Sequence, residues 1–389
     1  MSIFKPILVT VVLFSLSSSV DARVHRRAPA SSGEEGPEGG GPPYASAIVI
    51  EAETGRVLFE DNPHLPRAPA STVKTMVELL VMEMVDQGKV KLTDSLTTSA
   101  WASKIGGSQV YLKEGEVFPL EDLMKAIAIH SANDACVAVA EHLAGTPEGF
   151  VEMMNQRAQE LGLHDTHFTN VHGLDDDLAA VNVTSAYDLA QIARELVKYP
   201  KILEWSSKVE DTFRDGKFIL SNTNHLVGKF PGLDGLKTGY TKRAGFCLVA
   251  TAKRGDLRLI SDVMGAPSNK LRFAESARLL SRAFSQYKKV LVVREGEPLG
   301  EVKVARGREE KVRLVAKTGF SALLRSGQEK AIKRSMAKLP EEHPAPIQQG
   351  EVLGTLQVSL GDSLLATVEA VADRDVARLT TWEWIKSWL

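Results

Sequence analysis

Three short motifs in the chain could together run acyl-transfer chemistry: Ser71-Thr72-Val73-Lys74, Ser131-Ala132-Asn133 and Lys237-Thr238-Gly239. A serine hydroxyl attacks a carbonyl only when another group takes its proton. Lys74, three residues on, falls on the same helix face one turn away. A lysine is a base only when neutral; burial and a second cation both lower its pKa, and Lys237 supplies that cation. A helix start at Ser71 also offers backbone N–H groups to a developing oxyanion. Singly the motifs are unspecific, because Ser285/Lys288 and Ser335/Lys338 repeat the first spacing and Lys317-Thr318-Gly319 repeats the last. Context separates them. Ser71 opens an apolar-periodic run, whereas Ser285 ends one, Ser335 lies in a basic stretch before Pro340, and the second Lys-Thr-Gly reads as a surface turn.

The elements that must position these residues are visible as patterns. Ala47-Ile48-Val49-Ile50 reads as a buried strand, Glu53 to Arg56 as a turn and Val57-Leu58-Phe59 as the returning strand, which together make a hairpin. Val73, Met76, Val77, Leu80 and Met84 recur at helical spacing from Ser71. Further helices are expected over Leu120 to Ile129, Asp134 to Leu143, Phe150 to Leu161 and Ser185 to Val197, the last with Thr184 and Ser185 placed to cap it. Lys237 sits at a strand edge leading to a second strand, Cys247 to Thr251, followed by Leu257 to Val263 and a closing helix, Glu275 to Ser285. Beyond Tyr287 short β-type runs alternate with Gly and charged turns, which predicts a separate small all-β domain.

The two ends have their own character. Lys5, the apolar run Pro6 to Leu16 and the small residues before Ala22 read as a cleavable export signal, 1–22. Residues 23–43, dense in Gly, Pro, Ser and Glu, read as a flexible tether. Three of the five Trp fall among the last eight residues, and 373–389 is expected to be an amphipathic helix that touches a membrane surface. With 47 Lys and Arg against 49 Asp and Glu, no global field points to nucleic acid. Cys136 and Cys247 lie in apolar segments and read as buried free thiols. His164, His167 and His172 lack a Cys or acidic partner set for a metal, and no metal or cofactor is expected.

The three motifs resemble those of the penicillin-recognising serine enzymes. Their surroundings, Ile129 to Cys136, Phe150 to Asn155, Leu161-Gly162-Leu163 and Asp234 to Thr241, narrow the resemblance to the low-molecular-mass D-alanyl-D-alanine carboxypeptidases. It covers Tyr44 to Ser285 closely and the β domain more loosely. It implies an α+β fold of the β-lactamase/transpeptidase type over 44–286, an antiparallel sheet between helices with a helical lobe holding Ser131. A small all-β domain over 287–372 would follow. It also implies roles. Ser71 would attack the carbonyl between two D-Ala units with Lys74 as base, and Ser131 would pass a proton to the leaving amine with help from Lys237. Asn133 would orient the substrate amide and Lys74. Thr238 and Arg272 would hold the terminal carboxylate, Gly239 would line the strand, and backbone N–H groups of Ser71 and Tyr240 would form the oxyanion hole. The partners implied are peptidoglycan stem peptides, with β-lactams as covalent inhibitors, at the periplasmic face of the inner membrane.

Rival chemistries differ at identifiable points. A β-lactamase would need a deacylating Glu in a Glu-x-x-Leu-Asn motif after Ser131, where this chain reads His164-Asp165-Thr166-His167-Phe168-Thr169-Asn170. An endopeptidase would differ only upstream of the bond, where the motifs are silent. A low-turnover penicillin-binding scaffold would not need the full catalytic set, and a glycosidase would need paired carboxylates that nothing here singles out.

Overall fold

A computed structural model describes residues 43–175, 181–337 and 339–386. The expected signal (1–22) and the expected tether up to residue 42 lie outside the described residues. The chain enters the sheet as β1 (Ser46–Glu51), every residue of which is buried, and returns as β2 (Val57–Asp61). Burial on both faces is why β1 reads as a continuous apolar run and not as an alternating one. The turn between them needs Gly55 at φ +73°.

A short 3-10 turn, Ala70–Val73, leads into α1 (Lys74–Asp86), which is buried without a break from Lys74 to Met82. Over that enclosed stretch the helix is apolar all round apart from Lys74, Thr75 and Glu78. The hairpin β3–β4 (Ser95–Thr97, Val117–Pro119) precedes a helical lobe of α2 (Leu120–His130), α3 (Asn133–Ala144) and α4 (Pro147–Glu160). Then come α5 (Ala186–Leu196), α6 (Pro200–Ser206) and the hairpin β5–β6 (Glu210–Phe213, Phe218–Ser221). The Ser185 hydroxyl accepts from the Asp188 N–H and so caps α5.

Three long strands close the domain: β7 (Leu233–Thr241), β8 (Gly245–Arg254) and β9 (Leu257–Ala266). The five-stranded antiparallel sheet has the order β2-β1-β9-β8-β7. Ile48, Val249 and Ile260 point from it into the large core shared with α1, α5 and the lobe. Val49, Leu248 and Val263 point to the other side, where α7 (Asn269–Gln286) covers them with Leu279 and Leu280. The architecture is α+β, with helices on both faces of an antiparallel sheet.

The rest is all β apart from its last turn. It comprises β10 (Tyr287–Val293), β11 (Pro298–Ala305), β12 (Lys311–Ala316), β13 (Phe320–Arg325) and β14 (Ile332–Ala337). These are followed by β15 (Glu342–Pro344), β16 (Val352–Leu360), β17 (Ser363–Ala372) and α8 (Thr381–Lys386). β10 pairs with β13, and the others form a six-stranded sheet.

Several particulars depart from the sequence pattern. α7 begins six residues earlier than Glu275, because Ser268 caps it by accepting from the Leu271 N–H. α6 and the β5–β6 hairpin carry too short an apolar period to be read. Ser335, in the basic stretch before Pro340, lies inside β14, opposite Gln357. Lys317-Thr318-Gly319 is the exposed turn its sequence suggests, with Lys317 paired to Glu369. Of the segment 373–389, Val376 is buried in the β-domain core and bridged to Ile347, and the helix starts only at Thr381.

One core position runs against packing logic. Asp262, fully buried in β9 between Ile48 and Val249, accepts no side-chain hydrogen bond at either carboxylate oxygen, and burial holds its pKa well above the usual 3.8. The native state therefore holds this proton more tightly than the unfolded chain, so stability contributed at low pH is lost as pH rises past the unfolded value. Asp262→Val should raise the melting temperature, with a gain in stability that grows with pH and reaches about 2 kcal/mol near neutrality. Thermal melts across pH check this; an unchanged or lowered melting temperature in neutral buffer would refute it.

Candidate active site

The nucleophile candidate is presented by a strained turn. Ala70, immediately before Ser71, takes φ +50°, a left-handed conformation costly for a residue with a Cβ. The Thr72 hydroxyl donates to the Pro69 carbonyl at 2.7 Å and pins the turn. Lys74 then starts α1 with its side chain wholly buried. Its Nζ donates to Ser71 Oγ at 3.0 Å, to Asn133 Oδ1 at 2.7 Å and to the His172 carbonyl at 2.8 Å, so all three ammonium hydrogens are committed.

The lobe delivers two more residues through the α2–α3 junction. Ser131 closes α2 in the left-handed region at φ +65°, and Asn133 opens α3. Asn133 is oriented from the far side, where its Nδ2 donates to the Gly106 carbonyl at 2.7 Å. A Cβ on Gly107 would lie 2.5 Å from that nitrogen, so only glycine fits there.

β7 supplies the third edge. Lys237 Nζ donates to Ser131 Oγ at 2.7 Å and to the Thr238 carbonyl at 3.1 Å, and Thr238 Oγ1 donates to Thr223 Oγ1 at 2.7 Å. Gly239 presses on the nucleophile turn, its missing Cβ position being 2.7 Å from the Pro69 carbonyl. Arg272, 7% exposed in the first turn of α7, donates from one terminal nitrogen to the Gly239 carbonyl at 2.9 Å and the Cys247 carbonyl at 3.3 Å. Its Nε has no protein acceptor. Tyr240 is 54% exposed and stacks on Phe246.

Burial dominates the electrostatics. It lowers Lys74 to about 8, against the opposing pull of Cys136, Glu78 and Asp134. It also carries Lys237 well below the usual lysine range, helped next by the charge of Lys74. His172 is pushed down to about 4 by burial and by Lys74, so its ring is neutral and its contribution is the carbonyl. Arg272 falls to about 10 by burial and stays cationic at neutral pH. Two hydrogen-bonded chains thus meet under the nucleophile turn: Ser71–Lys74–Asn133 and Ser131–Lys237–Thr238. Such a site can take a proton from a hydroxyl, return one to a leaving group and hold an anion beside β7.

A family model described as D-alanyl-D-alanine carboxypeptidase matches residues 44–268, and one described as the penicillin-binding protein 5 C-terminal domain matches residues 287–378. The D-alanyl-D-alanine carboxypeptidase DacF of Bacillus subtilis is 40% identical over 336 residues, 86% of each chain. Penicillin-binding protein 5 of Haemophilus influenzae superposes with a TM-score of 0.70 at 31% identity, covering 88% of this chain and 100% of its own. Penicillin-binding protein D2 of Listeria monocytogenes, solved in an ampicillin-bound form, superposes with a TM-score of 0.57 at 33% identity, over 62% of this chain and 97% of its own.

The chain belongs to the D-alanyl-D-alanine carboxypeptidase family.

The carboxypeptidase is a serine-type hydrolase, and all nine residues singled out from its sequence lie on the three edges just described. Arg272 lies beside β7, where one terminal nitrogen of its guanidinium braces the strand. Sequence reasoning missed His172, Gly173, Gly107, Thr223 and Glu78. His172 was weighed only as a metal ligand, and its carbonyl function leaves no mark on side-chain type. Gly173 has φ +87°, and a Cβ there would lie 2.1 Å from the Ala70 carbonyl. Gly173→Ala should therefore displace the nucleophile turn and cut D-alanine release about 100-fold while the protein stays folded. Steady-state turnover with a melting curve as control checks this; near-normal turnover would show that the turn tolerates the displacement.

Proposed function

We propose that the carboxypeptidase removes the terminal D-alanine of peptidoglycan stem peptides by an acyl-enzyme route with Ser71 as nucleophile and Lys74 as base. The observation that carries this reading is the committed Lys74 ammonium, 3.0 Å from Ser71 Oγ and lowered by burial to about 8. As the free amine, Lys74 takes the Ser71 proton while Oγ bonds to the carbonyl carbon between the two D-Ala units. Backbone N–H groups of Ser71 and Tyr240 hold the oxyanion; each such donor is worth about 3–4 kcal/mol in the transition state. The C–N bond breaks as Ser131, bonded to Lys237, hands a proton to the leaving amine. Asn133 keeps Lys74 aimed and receives the substrate amide. Thr238 and the field of Arg272 receive the terminal carboxylate, and the Arg272 bond to Gly239 keeps that strand in place. Water then hydrolyses the ester.

The same serine, attacked by the strained amide of a β-lactam, forms an ester whose leaving amine stays tethered. Among the described residues no carboxylate is bonded to Lys74 or Ser71, and this supports slow release of the drug as opposed to a β-lactamase cycle. The N-terminal pattern supports export to the periplasm. Trp382 and Trp384 support peripheral contact with the outer face of the cytoplasmic membrane, and among the described residues no helix is long and apolar enough to cross one.

With a diacylated tripeptide ending in D-Ala-D-Ala and protein lacking residues 1–22, kcat/KM should rise with pH towards about 8 as Lys74 deprotonates. Ser71→Ala should lose about 1,000-fold or more. Turnover by the serine variant would overturn the nucleophile assignment. Removing 380–389 should free the protein from sedimented membranes, and unchanged sedimentation would remove the membrane role.

A further inference from the structure

Among the buried residues of α1 stands a carboxyl that the scheme above leaves unused. Glu78 lies one helical turn after Lys74, on the same face, and is 2% exposed. Its Oε1 is sealed from solvent and accepts no hydrogen bond. An apolar side chain would fill the same space without a desolvated carboxyl, so packing alone gives no reason for glutamate here.

What faces Glu78 does. The charges acting on it are Lys237 of β7 and Lys74 of its own helix, in that order. From α3, Asp134 acts on Lys74, and the Cys136 thiol, held un-ionised by burial, stands beside all three groups. His172, from the loop, is neutral, and Arg272, from α7, acts on Lys237. Neither lysine is bonded to Glu78. Lys74 is bonded to Ser71, Asn133 and His172, and Lys237 to Ser131 and Thr238. Glu78 therefore reaches the reaction through its charge, with no bond to either amine.

We propose that Glu78 is a positioning residue for the acylation proton: Glu78, Lys74 and Lys237 share two protons, and in the reactive form these sit on Glu78 and Lys237, leaving Lys74 as the free amine. This rests on the reading of Lys74 as the base. Moving one proton from the Lys74 ammonium to the Glu78 carboxylate changes neither the proton count nor the net charge. It replaces two buried charges by two neutral groups, an exchange that a desolvated cavity favours. The Lys74 amine then takes the Ser71 hydroxyl proton as Oγ bonds to the carbonyl carbon. The leaving amine takes a proton from Ser131, which Lys237 replaces, so after acylation Lys74 holds the Ser71 proton and Lys237 is the free amine. The proton affinities are close enough for the exchange, since burial lifts Glu78 to about 7 and lowers Lys74 to about 8.

The sign of the effect is testable. An ionised Glu78 holds the Lys74 proton more tightly. Glu78→Gln and Glu78→Met remove that charge, so the acid limb of kcat/KM for D-alanine release should move to lower pH by about half a unit or more. On that limb both variants should then exceed the wild type about threefold. A purely structural role would lower the melting temperature and leave the limb in place, and that result overturns the proposal. Lys74→Ala serves as the separating control. If it keeps turnover, the base assignment falls and this proposal with it; if it is inactive while the Glu78 variants keep the wild-type limb, only the proposal falls. Should neither Glu78 variant fold, infrared difference spectra of the Asp262→Val protein must show a buried carboxylic-acid carbonyl band that titrates near neutrality. Absence of that band overturns the proposal.

Discussion

Two lysine ammonium groups buried in one cavity are the constraint from which the rest of this enzyme follows. Each loses hydration on burial, and the charge of Lys74 lowers Lys237 further, so the cavity lowers the proton affinity of both. The fold compensates with neutral acceptors: a serine hydroxyl, an amide oxygen and a carbonyl around Lys74, a serine hydroxyl and a carbonyl around Lys237. Among the described residues no carboxylate is salt-bridged to either amine. A bonded carboxylate would lift the lysine back to its usual range and abolish the base. Neutral bonds fix the position of the amine while leaving its proton weakly held.

Keeping those acceptors in place demands backbone conformations that the chain adopts only under pressure. Ala70 and Ser131 are both left-handed, at φ +50° and +65°. Gly173 and Gly239 bring backbone so close to the Pro69–Ser71 turn that a methyl group would not fit at either position. Such strain persists only where surrounding packing over-determines it. Here that packing is the enclosed α1, the lobe behind α3 and the covered sheet edge at β7, which are the most deeply buried parts of the molecule. Stability is spent again at Asp262, whose carboxyl is buried in β9 with no side-chain partner and outside the hydrogen-bonded set around the two lysines.

Legibility in the sequence followed the range of the interactions. Ser71 and Lys74 share one helix turn, Ser131 and Asn133 one junction, and Lys237 to Gly239 one strand; these local sets were readable and so were their supporting elements. The α5 cap at Ser185 is local too, and was placed from a hydroxyl beside an apolar period. What escaped depends on contacts between distant segments. The His172 carbonyl reaches Lys74 across 98 residues, so nothing near either one announces the bond. Gly173 is one glycine among 30, and only its approach to Ala70 distinguishes it. Glu78 reads as the polar interruption of a helix until the helix is seen to be enclosed. Val376 was drawn into a terminal amphipathic pattern, whereas its burial is decided by Ile347, in a different strand-like segment.

The same neutral surroundings bear on how the ester is resolved. Among the described residues every hydrogen-bond partner of Lys74 is uncharged, so no bonded carboxylate stands ready to take a proton from water. By microscopic reversibility, water entering where D-alanine left can follow the acylation path backwards, with Ser131 and Lys237 already in place. That route opens only when the leaving amine departs. A D-alanine product diffuses away and clears it, while the opened ring of a β-lactam stays attached and blocks it. On the proposed assignment, one proton path serves both half-reactions and connects turnover of the peptide with retention of the drug.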